Sequence, residues 1–407
     1  MKVVLNCTLV TCAGPARPRI GPEMAEVYAF EDAAMLIDGG RITEVNFRKD
    51  LAIPAGAEVI DCEGGAVLPG FVDAHSHPVY GGNRVDEFEM RAGGATYEEI
   101  AAAGGGIRST VRKTRAATEE ELYRSAARRV NWMLSCGTTA FEAKSGYGLT
   151  LADEAKMLRV IKKLGQESDQ IVIPTFLGAH AVPEGSSPED YERELIEHML
   201  PGIVEAGLAE FADIFCEPGY FNIEMSRRIM TRAKSLGLDI RMHVDQLTNS
   251  GGAKLAAELG AVTADHLEQT DMDGIAALKE AGTIPVLLPG SVYGLGLKKY
   301  PDARRMIDEG LPVVLATDFN PGSSPSPSIP MMMSLACTHM RMTPAEALIA
   351  STANAAHSLN RGGYCGSLEP GKRADFTLWE SHDYREIAYY FGFQQPVRVF
   401  VAGERRL

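Results

Sequence analysis

The stretch Ala66-Val67-Leu68-Pro69-Gly70-Phe71-Val72-Asp73-Ala74-His75-Ser76-His77 decides the reading of this chain. It is an apolar run that ends in two histidines separated by one residue. Side chains alternate along a strand, so His75 and His77 share a face. At the C-terminal end of a barrel strand that face opens onto the mouth, where two imidazoles can grip one metal ion. A lone His-x-His pair arises as readily from a satisfied polar patch, so the surrounding chain has to settle its meaning.

Seven further apolar runs follow, each closed by turn or polar residues: 138–144, 171–180, 211–217, 240–246, 261–268, 283–290 and 312–320. Rich in Val, Ile and Leu without polar alternation, they suit strands buried on both faces, as in a parallel sheet. Helix starts fall between them. Thr118-Glu119-Glu120-Glu121 and Thr343-Pro344-Ala345-Glu346 read as capping boxes, the second with Pro at the first helical position, and Ser187-Pro188-Glu189 opens another helix. Eight strands alternating with helices favour a (β/α)₈ TIM-like barrel over an open doubly wound sheet. An open sheet would more naturally carry a glycine-rich phosphate loop after its first strand; Gly104-Gly105-Gly106 instead follows an alanine-rich stretch.

The two ends of the chain have a different texture. Residues 1–64 read as short β segments (3–10, 34–37 and 42–45), with Asp38-Gly39-Gly40 as a hairpin turn, and the same character returns at 374–379 and 397–403. The expected organisation is a barrel over 65–360 flanked by a small composite β-sandwich built from 1–64 and 361–407.

Composition narrows the function classes. The 407 residues are 45% hydrophobic and 23% charged, ordinary for a soluble globular protein, and the net charge of −14 argues against nucleic acid or an anionic membrane as partner. An anionic substrate would need a directed cation. The seven scattered cysteines form no Cys-x-x-Cys and fit reduced thiols in a cytoplasm. The first residues are too interrupted for a signal peptide's apolar region, and no stretch is long and apolar enough to span a bilayer. A cytoplasmic protein is the expectation.

Function in a barrel lives at the C-terminal rim of its strands. His75 and His77 end the first run, His180 the third, His243 the fifth, Asp265-His266 the sixth and Thr317-Asp318-Phe319-Asn320 the eighth. Five of the nine histidines therefore converge on one rim. His75, His77, His243 and Asp318 supply a shell for one divalent metal with room for a water. Such an ion makes hydroxide available near neutral pH. Asp318 is placed to take the water's proton and deliver it to a leaving nitrogen, with His266 orienting the hydroxide or polarising a scissile carbonyl. Singly, His266 reads as well as a core imidazole and Asp318 as a turn cap; jointly the metal reading prevails.

These residues resemble the amidohydrolase superfamily, and the likeness to its imidazolonepropionase family is closer. Asn83-Arg84, the stretch 103–107, Lys144-Ser145-Gly146-Tyr147-Gly148 and 176–183 look like motifs of that family, as do 246–252, 264–268, 287–290 and 316–322. The resemblance covers roughly residues 60 to 380. It implies hydrolysis of the cyclic amide of 4-imidazolone-5-propanoate to N-formimino-L-glutamate by a metal-bound hydroxide, a step of cytosolic histidine degradation. It further implies that Arg84 holds the propionate, since a guanidinium engages a carboxylate through two bonds. Tyr147 and His180 would reach the substrate, Asn320, Gly322 and Ser323 would complete the propionate site, and a homodimer is expected. Ser76 and Ser323 stand where threonine is more usual. Gln246 stands where some members carry glutamate; a glutamine cannot act as a base, so it would bind the ring and leave proton transfer to Asp318 and His266.

Dinuclear relatives bridge two ions with a lysine or glutamate from the middle strands. The fourth run, 211–217, has no lysine, although it ends in Glu217, so one zinc or iron ion per chain is expected. Lys144 lies on the second strand, within a motif that looks like substrate-loop architecture, and Met331-Met332-Met333 reads as core or subunit interface. A cytosine- or guanine-type deaminase is the alternative enzyme, disfavoured by Arg84, and a non-catalytic scaffold is disfavoured by the complete ligand set.

Overall fold

The computed structural model describes residues 1–96, 99–100, 103–393 and 395–407. The chain opens with β1 (Lys2–Val10), β2 (Ala29–Asp38), β3 (Arg41–Phe47), β4 (Glu58–Asp61) and β5 (Ala66–Pro69). Asp38 pairs with Arg41 across a two-residue turn whose Gly39 and Gly40 have φ of 54° and 77°. Positive φ at both positions is the type I′ geometry, which glycine adopts without strain and which matches the twist of the flanking strands.

After β5 the chain enters a second sheet made of β6 (Phe71–Asp73), β7 (Thr138–Lys144), β8 (Ile171–Ala179), β9 (Phe211–Cys216), β10 (Asp239–Val244), β11 (Thr263–His266), β12 (Ile284–Leu287) and β13 (Val314–Leu315). These pair in sequence order, every pair parallel. The first and last strands then meet just beyond their ends. Asp318 N donates to His75 O at 3.0 Å and His77 N to Phe319 O at 2.9 Å. Below them the Asp73 carboxylate accepts from Thr317 N at 3.0 Å and Thr317 Oγ1 at 2.5 Å. The barrel is thus closed by the residues that carry the candidate site.

Helices lie between the strands, and their starts follow the chain's own signals. Thr118 and Glu121 form a capping box before Glu119–Ser135, and Thr343 and Glu346 form another before Pro344–Ala350. Ser187 caps Pro188–Glu194. Side-chain capping satisfies backbone N–H groups that the first helical turn leaves unpaired. Val72, Ala140, Ile173, Phe211, Val286 and Val314 form an apolar floor inside the barrel. Above that floor the interior becomes charged. Met332 and Met333 of the helix Ile329–His339 are buried.

The chain returns through β14 (Phe376–Trp379), β15 (Arg398–Val401) and β16 (Glu404–Arg405) to complete the terminal sheet, in the order β16-β15-β14-β5-β1-β2-β3, with β4 also on β1. Instead of two separate layers, this is one forked sheet that curls until β3 meets the segment leading into β14. Ile42 N donates to Lys372 O, and Ala374 N to Gly40 O, each at 2.9 Å. The sandwich-like interior arises because strands at both ends bury the same face, with Val4, Leu9, Met35, Ile37, Phe376 and Phe400 in one cluster. Phe376 and Phe400 stack with centroids 4.3 Å apart. Burying each such ring contributes about 1.5–3 kcal/mol. Among the described residues, no helix is long and apolar enough to cross a membrane, and all seven cysteines are free thiols.

Candidate active site

His75, His77 and His243 each place a ring nitrogen within 4.8 Å of the others. Asp318 Oδ1 lies 3.6 Å from His75 Nε2 and 3.5 Å from His77 Nε2. His75 Nε2 is buried with no hydrogen-bond partner among the described residues. An orphaned buried nitrogen costs free energy, which a bound cation would offset. Three imidazoles and one carboxylate around one point are a donor set that zinc or iron accepts. The residues present therefore fit a metal ion.

The two histidines at the centre of this set face carboxylates with their other nitrogens. His75 Nδ1 donates to Asp265 Oδ2 at 2.6 Å, and His243 Nδ1 lies 2.9 Å from Asp213 Oδ2. The first is a hydrogen bond that fixes tautomer and ring direction, and the Asp213 carboxylate beside His243 favours a proton on Nδ1, leaving the opposite nitrogens for a cation. Burial holds His75 well below the ordinary imidazole value and lowers His77 and His243 too, so all three are neutral, as ligands must be. Burial works against ionising Asp318, but His77, with Nε2 3.5 Å from Asp318 Oδ1, and the charge of the neighbouring His266 hold it below the usual carboxylate range. At His266 burial opposes the charged form, yet Glu268, 3.4 Å from His266 Nδ1, raises its pKa.

The backbone at this rim is strained. Asp318, His266, Leu267 and Asp245 have φ of 51°, 83°, 68° and 51°. A non-glycine residue in that region costs about 1–3 kcal/mol and persists only where its surroundings dictate it. Asp318 is held by the bond to His75 O and by Asn320 Nδ2 donating to Asp318 O at 2.6 Å.

Above the histidines opens a cavity of about 700 Å³. His77, His243, His266 and Asp318 line it, together with Arg84, Tyr147, His180, Gln246, Asn320, Gly322 and Ser323. Of the four candidate metal ligands, His75 alone lies beneath, fully buried. His180 Nδ1 donates to Gly146 O at 3.0 Å, and burial keeps its ring neutral, so its Nε2 is an acceptor. Burial raises the Tyr147 pKa, which keeps its hydroxyl protonated. Arg84 Nε donates to Thr110 Oγ1 at 2.8 Å, and its terminal nitrogens make no hydrogen bond among the described residues.

The loop after Asp318 is built differently from expectation. Asn320 Oδ1 accepts from Gly322 N at 2.7 Å and Ser323 N at 2.9 Å, and Ser323 Oγ donates to Asp318 Oδ2 at 3.0 Å. These groups shape the loop and hold Asp318; their donors are already engaged.

Lys144 is not part of a substrate loop. It is fully buried in β7, with Nζ 2.9 Å from Glu142 and 2.6 Å from Asp213. Glu217 accepts from Leu247 N at 3.2 Å and from Thr248 Oγ1, which ties it to the loop after β10. A second group, His75, Glu142 and Asp265, also brings ligand atoms within 4.8 Å. There, however, Lys144 and Arg241 already pair with Glu142, Arg241 Nε at 3.0 Å. Sequence reasoning missed Glu142, Asp213, Arg241 and Glu268. The available signal was spacing: Glu142 and Lys144, like Arg241 and His243, are two apart in a strand and so share the inward face.

Comparison with known proteins agrees with this geometry. The model of the amidohydrolase family matches residues 66–406. An imidazolonepropionase of Solibacter usitatus is 55% identical over 406 residues, covering 98% of this chain and 97% of its own. One of Geobacillus kaustophilus is 46% identical, covering 97% and 95%. The crystal structure of a 5-methylcytosine deaminase from Klebsiella pneumoniae, liganded with 5-fluorocytosine, superposes with a TM-score of 0.76 at 18% identity, covering 100% of this chain and 97% of that one. That likeness is one of fold.

Proposed function

The chain belongs to the amidohydrolase family and, within it, to the imidazolonepropionases, and from this premise we infer how its own residues serve the hydrolysis of 4-imidazolone-5-propanoate to N-formimino-L-glutamate. It is a metal-dependent hydrolase acting on a C–N bond of a cyclic amide in histidine degradation. In the reaction, water oxygen bonds to the lactam carbonyl carbon and the ring C–N bond breaks. The carbonyl becomes a carboxylate and the nitrogen gains a proton.

One observation carries the assignment of residues: Arg84 and the donors His77, His243 and Asp318 open onto one cavity. His75, His77, His243 and Asp318 would hold a single zinc or iron ion. Bound there, such an ion supplies the Lewis acidity that lets water ionise near neutral pH. Asp318, anionic and aimed by Ser323, takes the water's proton and passes it to the leaving nitrogen. His266, kept protonated by Glu268, donates to the carbonyl oxygen as negative charge develops there. His180 accepts from a ring N–H, Tyr147 and Gln246 complete the ring's contacts, and Arg84 pairs with the propionate. Gly322 leaves room for that guanidinium, while Asn320 and Ser323 shape the loop beside it.

The free thiols support a reducing cytoplasm, and the charge of −14 leaves a small molecule, not nucleic acid or an anionic membrane, as the partner. The exposed Tyr389, Phe391 and Phe393 support a homodimer. A division into 65–360 and a composite of 1–64 with 361–407 follows the change from parallel barrel to terminal sheet. The test is turnover of imidazolone propionate beside a panel of aminopyrimidines and guanine. Ring opening of the first alone is expected; release of ammonia from an aminopyrimidine or guanine instead would favour the deaminase reading.

A further inference from the structure

Lys144 lies below the cavity, out of reach of substrate, yet it touches both carboxylates that face the central histidines. Lys144 Nζ is 2.6 Å from Asp213 Oδ2 and 3.7 Å from Asp265 Oδ2. Those same oxygens lie 2.9 Å from His243 Nδ1 and 2.6 Å from His75 Nδ1. The ammonium donates hydrogen bonds to Asp213 and to Glu142, 2.9 Å away, and holds Asp265 as an ion pair. Glu142 is held in turn by Arg241 Nε at 3.0 Å and Thr175 Oγ1 at 2.5 Å. All five charged side chains are shut off from solvent or nearly so. A buried ammonium is tolerated only where it is paired, so its place in the barrel is dictated by two hydrogen-bonded carboxylates and a third within ion-pair range.

We propose that Lys144 is the positioning residue that yokes His75 to His243. One ammonium holds Asp213 and Asp265 at a fixed separation, and each carboxylate fixes one imidazole. The distance between the two nitrogens offered to the metal is therefore set from below, by a residue that binds neither metal nor substrate. This rests on the metal assignment made above.

A plainer role would be charge balance: Glu142, Asp213 and Asp265 against Lys144 and Arg241 leave a sum of −1. The double variant Lys144→Met/Glu142→Gln keeps that sum and removes the link, so it separates the two. Zinc affinity is read by competition with a chromophoric chelator, ligand geometry by the visible spectrum of the cobalt-loaded protein, and folding by thermal unfolding. The yoke predicts a folded double variant with zinc affinity about 10–100-fold weaker and an altered cobalt spectrum. Wild-type affinity and spectrum in that variant would overturn it and leave the metal site standing. Should the double variant not fold, Lys144→Gln, which can bond one carboxylate but not span both, is read by the same signals. A wild-type chain that binds no zinc or cobalt would refute the metal assignment and the yoke together.

Discussion

The Arg84 guanidinium lies directly over the α-carbon of Gly322: a Cβ there would run into Arg84 Nη1 and sit 3.4 Å from Asn320 Oδ1. The backbone of Gly322 is outside the left-handed region, so alanine would be tolerated by the chain itself. Gly322→Ala should leave thermal stability unchanged and raise KM for imidazolone propionate about ten- to a hundredfold by displacing the guanidinium. Steady-state kinetics check this. An unchanged KM would mean that Arg84 is free to sit elsewhere.

Arg84→Met removes the cation and keeps much of the volume. A charge-assisted hydrogen bond contributes about 1.5–3 kcal/mol, so KM should rise about ten- to a hundredfold while kcat changes far less. The propionate is remote from the bond that breaks, and this split is its signature. Equal kinetics with and without Arg84 would unseat the carboxylate assignment.

Asp318→Asn keeps an acceptor for Ser323 Oγ, 3.0 Å away in the native chain, and so preserves the fold. It removes the proton carrier. Turnover should fall by about 10²–10⁴-fold with an unchanged unfolding temperature. Activity within a few fold of wild type would remove Asp318 from proton transfer.

Asp375 gives a pH signature far from the cavity. Burial raises its pKa from 3.8 to about 6, against the opposing pull of Arg373 and the Ala402 N–H. Its folded value lies above its unfolded one, so the native state binds the proton more tightly. Stability is then highest below the unfolded pKa and falls as pH rises from about 4 to about 6, by roughly 3 kcal/mol in all. Asp375→Asn should abolish that slope. Thermal unfolding of both proteins between pH 4 and 7 should show the variant gaining on wild type until about pH 6. Parallel curves would contradict the buried-carboxyl account.

What was legible in the sequence had local causes. The candidate metal donors stood out because strand ends put them on one rim, and the helix starts because Thr118 with Glu121 and Thr343 with Glu346 act within one turn. The buried charges were hard to read because their partners are distant: Lys144 meets Asp213, 69 residues away, and His75 meets Asp265, 190 away. Alternation marks such side chains as inward but does not say which will pair. Ser145-Gly146-Tyr147-Gly148 tied Lys144 to a substrate loop, whereas its separation from Glu142 by two residues turns it into the barrel interior. The curling of the terminal sheet depends on contacts between residues 40–42 and 372–374, which no local pattern announces.

The central claim is that four groups on the barrel rim hold one metal ion with which this chain opens the imidazolone ring. The most direct measurement strips the purified protein with a chelator and titrates zinc or ferrous ion back while following turnover of imidazolone propionate. The account predicts no turnover in the stripped protein and full recovery at about one ion per chain. Undiminished turnover by a folded, metal-free protein would contradict it.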